Sequence, residues 1–295
     1  MTFSLRRTSG EELELTEQHE LLVLPRKGKI DWDAFDRSAY AEADLARALD
    51  AWKARVFTEM HSLTLFTQLS SQIHKLGAPL DWSGAFARMI ADEVRHTDQA
   101  LRMCEALGER PDVKFEEENL HLDTNGPTLR AHVRTTVIAA FCISETLSGR
   151  MFKRCLRAAT VPLAREVVAA VLVDETFHAE LGWELGALLM RPSESGFEEE
   201  RALLVASLPG LYAHFARQCC ARVEDHVGTS VREWAMTSPD KDPGENFGTL
   251  SDAGYARAYF EGMEEDVVPG LVAIGLPEAQ GAWQEFVAKL DAPAA

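Results

Sequence analysis

Apolar residues in this chain recur at alternating spacings of three and four, the period of helices that bury one face against a bundle. Twelve prolines punctuate the sequence and leave long windows rich in Ala, Leu, Glu and Arg. Period-two alternation bounded by Gly or Asn turns is missing, so the pattern predicts an all-α protein. Four long helices are expected at about 40–76, 80–107, 128–158 and 162–190, with further helical patterns near 197–236 and 252–290. Gly77 would close the first helix and Pro162 would open the fourth, where a first turn tolerates proline. Pro239 to Asn246 reads as the one flexible interruption.

Each long helix carries a seam. The first is Leu45, Leu49, Trp52, Val56, Glu59, Leu63 and Phe66, and the second is Phe86, Met89, Glu93, His96, Ala100, Met103 and Leu107. The third is Ile138, Phe141, Glu145, Ser148 and Phe152, and the fourth is Val168, Val171, Glu175, His178, Gly182, Leu185 and Leu189. All four are interrupted by a glutamate, and two by a histidine three residues later. Burying an unpaired carboxylate is costly enough that it would normally take up a proton instead. Any single one of these could be a misphased surface residue, but four at one depth form a pattern.

That depth follows from counting. Residues level with one another in an antiparallel helix pair are equidistant in sequence from the turn. Glu59 and the Glu93/His96 pair are centred on about Gly77; Glu145 and the Glu175/His178 pair are centred on about Thr160–Val161, beside Pro162. Both centres are turns predicted on other grounds, and each half-site lies roughly 25 Å from its turn at 1.5 Å per residue. The chain thus uses one arrangement twice: Glu, then Glu-x-x-His.

Composition narrows the functional classes. The 295 residues carry 47 acidic and 30 basic side chains, a formal charge of −17. That field repels nucleic acid and anionic membrane, so neither is expected as a partner. The longest strongly apolar run, Val167–Val173, falls far short of the ~20 residues of a membrane span. Met1–Leu15 has no signal-peptide pattern, and five cysteines without zinc-type spacing read as reduced thiols, so a cytoplasmic location is expected.

Four carboxylates and two neutral imidazoles suit two divalent cations, because four negative charges balance four positive ones. Both side chains of a Glu-x-x-His leave one helix face, so one ion can take both. Mixed oxygen and nitrogen donors favour iron, or manganese, over calcium or magnesium. On these six residues the chain resembles the ferritin-like diiron carboxylate superfamily, whose four-helix bundle supplies Glu from two helices and Glu-x-x-His from the other two. The resemblance covers about residues 40–190 and implies a single ferritin-like domain over 1–295, with a C-terminal helical extension at about 197–290.

The resemblance further implies that Glu59, Glu93 and His96 bind one iron and Glu145, Glu175 and His178 the other, with one or two carboxylates bridging. Asp92 and Asp174 precede the motif glutamates, giving Asp-Glu-Val-Arg-His and Asp-Glu-Thr-Phe-His. This looks like the oxygen-activating members, in which such an Asp accepts a hydrogen bond from a ligand His on the partner helix and raises its basicity. Arg95 would either join that network or reach solvent. The implied cofactors are two Fe ions, or a Mn/Fe pair, with O2 as cosubstrate and an external electron donor. The implied partners are a small-molecule substrate and a reductase or ferredoxin, and a homodimer is compatible with the pattern.

Departures from related enzymes refine the expectation. Ala100 stands where a ribonucleotide reductase small subunit carries its radical tyrosine, and Val171 where the three-histidine N-oxygenases add a third His. Gly149, with Ser148 beside it, stands where many hydroxylases place a Thr; any hydroxyl would come from Ser148 or Ser144. Gly149 and Gly182 each follow a ligand by one turn, which leaves two readings open: room for a substrate, or close helix packing. His61, His74, His132, His214 and His226 read as surface or core-edge residues, His214 being the best spare ligand. The expected function is a diiron oxidase or oxygenase acting on an organic molecule. The alternatives are a ferroxidase or other iron-handling protein, and a ferritin-like tRNA hydroxylase that the charge disfavours.

Overall fold

The computed structural model describes residues 2–4, 30–109, 114–116, 126–192, 196–220 and 230–290. The described residues are helical apart from turns and a ribbon of two three-residue strands, Thr2–Ser4 and Lys114–Glu116, paired antiparallel with Phe3 opposite Phe115. The four long helices lie within a few residues of expectation. They are α1 (Glu42–Lys75), α2 (Leu80–Ala106), a third helix in three consecutive parts, and α5 (Pro162–Leu189). The third begins as α3 (Leu129–Val137), continues as a π-helical segment (Ile138–Glu145) and ends as α4 (Thr146–Ala158). Beyond them come α6 (Phe197–Cys219), α7 (Val231–Thr237), α8 (Asp252–Gly262), a second π-helical segment (Met263–Val267), α9 (Val268–Ala273) and α10 (Glu278–Leu290). No described helix is long and apolar enough to cross a membrane. Most of the link between α2 and α3 lies outside the described residues.

The helix ends have local causes. Thr128, Ser230 and Ser251 each accept a backbone N–H of the following turn through the side-chain oxygen, capping α3, α7 and α8. After α1 the chain reverses through Gly77, whose φ of 79° is open to glycine at little cost.

The chain divides into two compact units. The first comprises 1–124, 159–171 and 244–247 and is organised around α1 and α2. The seam residues Leu45, Trp52, Val56, Phe66, Phe86, Met89 and Met103 are buried in it. The segment expected to be flexible is in part tightly held here. Phe247 is 1% exposed and packs on Phe35 and Tyr40, and its carbonyl accepts the Trp52 indole N–H at 2.9 Å. The Asn246 carbonyl accepts the N–H groups of Thr160 and Val161, and Asp44 accepts that of Glu245. Proline and glycine signalled the break in helix correctly; they carried no information on these backbone partners.

The second unit comprises 125–158, 172–243 and 248–295. Its core is aromatic: Trp283 packs against Tyr212, Tyr259 and Phe286, and the two tyrosines donate to the carbonyls of Ala279 and Tyr212. Arg134, almost fully buried, pairs with Glu200 at 2.5 Å and donates to the Leu189 carbonyl. The C-terminal helices engage one particular side of α4. Gly262 lies against Leu147 and Arg150; Arg150 binds Glu261, Glu265 and Asp266; and Arg154 binds Asp240 and Glu261.

Trp52→Phe keeps the ring and removes the N–H that Phe247 needs. Loss of one buried hydrogen bond of this kind costs about 1–2 kcal/mol. Urea unfolding should report that loss together with faster amide exchange at Thr160 and Val161; an unchanged midpoint would mean that the segment is held by its other contacts.

Candidate metal centre

Three buried ligand-type side chains meet in the first unit. α1 contributes Glu59, 7% exposed, and α2 contributes Glu93 and His96, each 1% exposed. Nδ1 of His96 lies 3.7 Å from a carboxylate oxygen of Glu59 and 3.7 Å from one of Glu93. One ligand atom from each residue falls within 4.8 Å of the others. The reversal at Gly77 sets this register, because it brings residues at equal distances from the turn level with one another.

The second unit repeats the arrangement. Glu145 is the last residue of the π-helical segment, and α5 contributes Glu175 and His178, all three buried. Nδ1 of His178 lies 3.4 Å from Glu145, and the three ligand atoms again fall within 4.8 Å. Close helix approach makes this possible. A Cβ built on Gly182 would run into Cβ of Phe141, and one on Gly186 would meet the Cys142 sulfur at 2.7 Å. The Cys142 thiol lies 3.5 Å from the Gly182 carbonyl. At the residue that follows Glu145, the Trp183 indole N–H donates to the Thr146 hydroxyl at 3.0 Å.

The donor chemistry fits divalent cations. Two carboxylates at the separation found within either triad repel one another by roughly 3–4 kcal/mol at an effective dielectric of 20. A dication between them converts that repulsion into attraction, and a neutral imidazole supplies a nitrogen. Sulfur donors are disfavoured: burial pushes the Cys104 thiol up to about 12 and raises Cys142 further, so both stay protonated. The set is thus oxygen and nitrogen in both halves, as the sequence predicts.

Around these six, Asp92 is fully buried and accepts Arg95 at 2.5 Å, with Arg88 at 3.5 Å. Arg95 itself is 5% exposed, so of its two expected roles the buried network holds. Asp174, 8% exposed, shares the interior of α5 with its neighbour Glu175. Of the spare histidines, His61, His74 and His214 are exposed; His214 sits against Phe215, where burial and Arg217 lower its pKa. His132 is buried at 3% exposure, and His226 lies outside the described residues. Ala100 and Val171 are buried apolar residues, and Ser144 and Ser148 are half-buried.

Nothing in the spacing signals the π-helical turn that ends at Glu145. Such turns are rare, arise by accommodating one extra residue and concentrate at functional sites. The one available hint is the apolar density of Ile138–Ile143, which a single seam cannot use: Ile138, Ala140, Phe141, Cys142 and Ile143 are all buried.

Compared with known proteins, the chain matches no family model, no curated protein and no solved structure.

The two glycines that the sequence left ambiguous separate here. Gly182 is a close-packing glycine. Gly149 is buried, yet a Cβ built on it would meet no atom within 4 Å. Gly149→Ala should therefore stabilise the metal-free protein by up to about 1 kcal/mol through helix propensity. Gly182→Ala should destabilise it by about 1–3 kcal/mol through overpacking against Phe141. Thermal and urea unfolding of the two variants would reveal opposite signs, and equal signs would contradict the assignment.

Proposed function

We propose that this chain is an oxygen-activating member of the ferritin-like diiron carboxylate proteins, a non-haem oxidase or oxygenase acting on an organic small molecule. The observation that carries the reading is the occurrence of two buried Glu–Glu–His triads, each with its ligand atoms within 4.8 Å. In this reading Glu59, Glu93 and His96 hold one iron, or one metal of a Mn/Fe pair, and Glu145, Glu175 and His178 hold the other. Glu followed by Glu-x-x-His occurs once in each unit, and that matched pattern supports the diiron reading. When held by these residues, a reduced metal pair would supply the electrons for O2 activation, with an external donor such as a reductase or ferredoxin to restore them.

The protein's own contribution is positional and electrostatic. The six side chains are pre-placed on helices, so binding a metal needs little reorganisation. Ligand burial keeps bulk water from competing for metal positions and lowers the local dielectric, which strengthens every charge interaction at the site. Asp92, fixed by Arg95 and Arg88, keeps a counter-charged scaffold on the same helix as Glu93 and His96. Neutral imidazole is required for ligation, so metal affinity falls as the two histidines protonate.

The free cysteines support a cytoplasmic setting, and a homodimer is compatible with it. Iron handling without an organic substrate would use the same ligands, and turnover separates the two.

Anaerobic Fe(II) titration should saturate at two ions per chain. Glu93→Ala and His178→Ala should each lower that number to one or fewer. On admitting O2, an oxygenase oxidises about its two bound irons and then stops until reductant is supplied, whereas a ferroxidase continues through many equivalents of Fe(II). Full oxidative activity in a chain shown to be metal-free would refute the reading.

A further inference from the structure

Gly149 lies in the middle of a helix, where glycine is among the least favourable residues. Three structural reasons normally retain it there: a positive φ, a close approach, or a turn. None applies, since its φ is helical, it is not at a terminus of α4, and nothing approaches it. Other glycines supply the contrast. Gly182, Gly186, Gly262 and Gly270 are each pressed by a neighbour that a Cβ would strike. Of the seven described glycines whose built Cβ would meet nothing within 4 Å, six are exposed and Gly149 alone is buried. A side chain at this buried position would stand in open space.

Its position is specific. Gly149 follows Glu145 by four residues, so the two sit one above the other on the same helix face, about 5–6 Å apart. Leu147, Arg150 and Arg154 lie about 200°, 140° and 180° around the helix from Glu145 at 100° per residue. Those three are the residues that the C-terminal helices engage. The C-terminal helices therefore brace the back of α4, opposite the face that carries Glu145 and Gly149.

That face is apolar. Phe152, three residues beyond Gly149, and Phe141, four before Glu145, are both buried. The one cation in the same turn, Arg150, is committed on the far side to Glu261, Glu265 and Asp266. Lys153, in line with Glu145 and Gly149 at four-residue spacing, is exposed to solvent.

The geometry points to Gly149 as the residue that determines specificity at the site: its missing side chain leaves an apolar subsite beside Glu145 that admits a neutral alkyl or aryl group of the organic substrate. This deepens the oxygenase reading and rests on it. A bulkier residue at 149 fills the subsite and leaves the six ligands in place. Ser148 and Ser144, half-buried on the neighbouring flank, are the groups on this helix able to give that substrate one hydrogen bond.

The test uses two apolar probes and a separate metal count. Crystals of the wild-type chain pressurised with xenon should show a xenon site against Gly149, and Gly149→Leu should abolish it. Calorimetric titration with benzene should give affinity at least tenfold weaker in Gly149→Leu than in wild type. Gly149→Ala, the milder variant that keeps the test alive should the leucine variant fail to fold, should weaken benzene about threefold while raising the melting temperature. Fe(II) stoichiometry should stay at two in both variants. Absence of xenon at Gly149, or benzene affinity unchanged by both substitutions, overturns the subsite whatever the metal count. Xenon and benzene binding that depend on Gly149 in a wild-type chain taking up no Fe(II) overturns the diiron reading and, with it, the assignment of the subsite to an oxidised substrate.

Discussion

Carboxylates held side by side away from water are the constraint around which this protein is built. Glu59 with Glu93, and Glu145 with Glu175, are pairs of acids that a purely apolar seam would replace with leucine at a gain in stability. Their retention makes sense where a cation completes the charge balance. Other features of the interior follow from holding such pairs in position. The α1–α2 reversal at Gly77 levels one pair, and the close approach at Gly182 and Gly186 brings the helix of Glu175 against that of Glu145. Asp92, a further buried acid, is balanced within its own helix by Arg95 and Arg88, so it places no additional demand on a metal.

Much of this was legible from spacing. The seams of α1, α2 and α5 are buried nearly residue for residue, because straight helices translate a three-four pattern directly into a face. All six glutamate and histidine positions of the two triads fall on that pattern and are buried. The third helix buries Ile138, Phe141, Glu145 and Phe152 of its seam as well, although a pattern search that assumes 3.6 residues per turn cannot register its π-helical turn. Gly149 and Gly182 were indistinguishable in sequence, as both sit one turn past a ligand. The difference between them is what stands opposite, which is tertiary information.

Among the described residues the C-terminal helices pack on α4 through charge as much as through apolar contact. Arg150 and Arg154 each bind more than one acid, and the aromatic cluster about Trp283 seals the far side. Their contacts with α4 avoid the face of Glu145. That division of labour lets one side of a helix be optimised for rigidity while the other remains free to vary with a ligand.

The manner in which residues 244–247 are held has a consequence for biosynthesis. Trp52 leaves the ribosome early, but the carbonyl that receives its indole N–H belongs to Phe247, 195 residues later. The unit built on α1 and α2 is assembled from three separated stretches of chain, the last of them residues 244–247. It cannot be completed until those residues have been synthesised, so the nascent helical hairpin must wait with its final backbone partners missing.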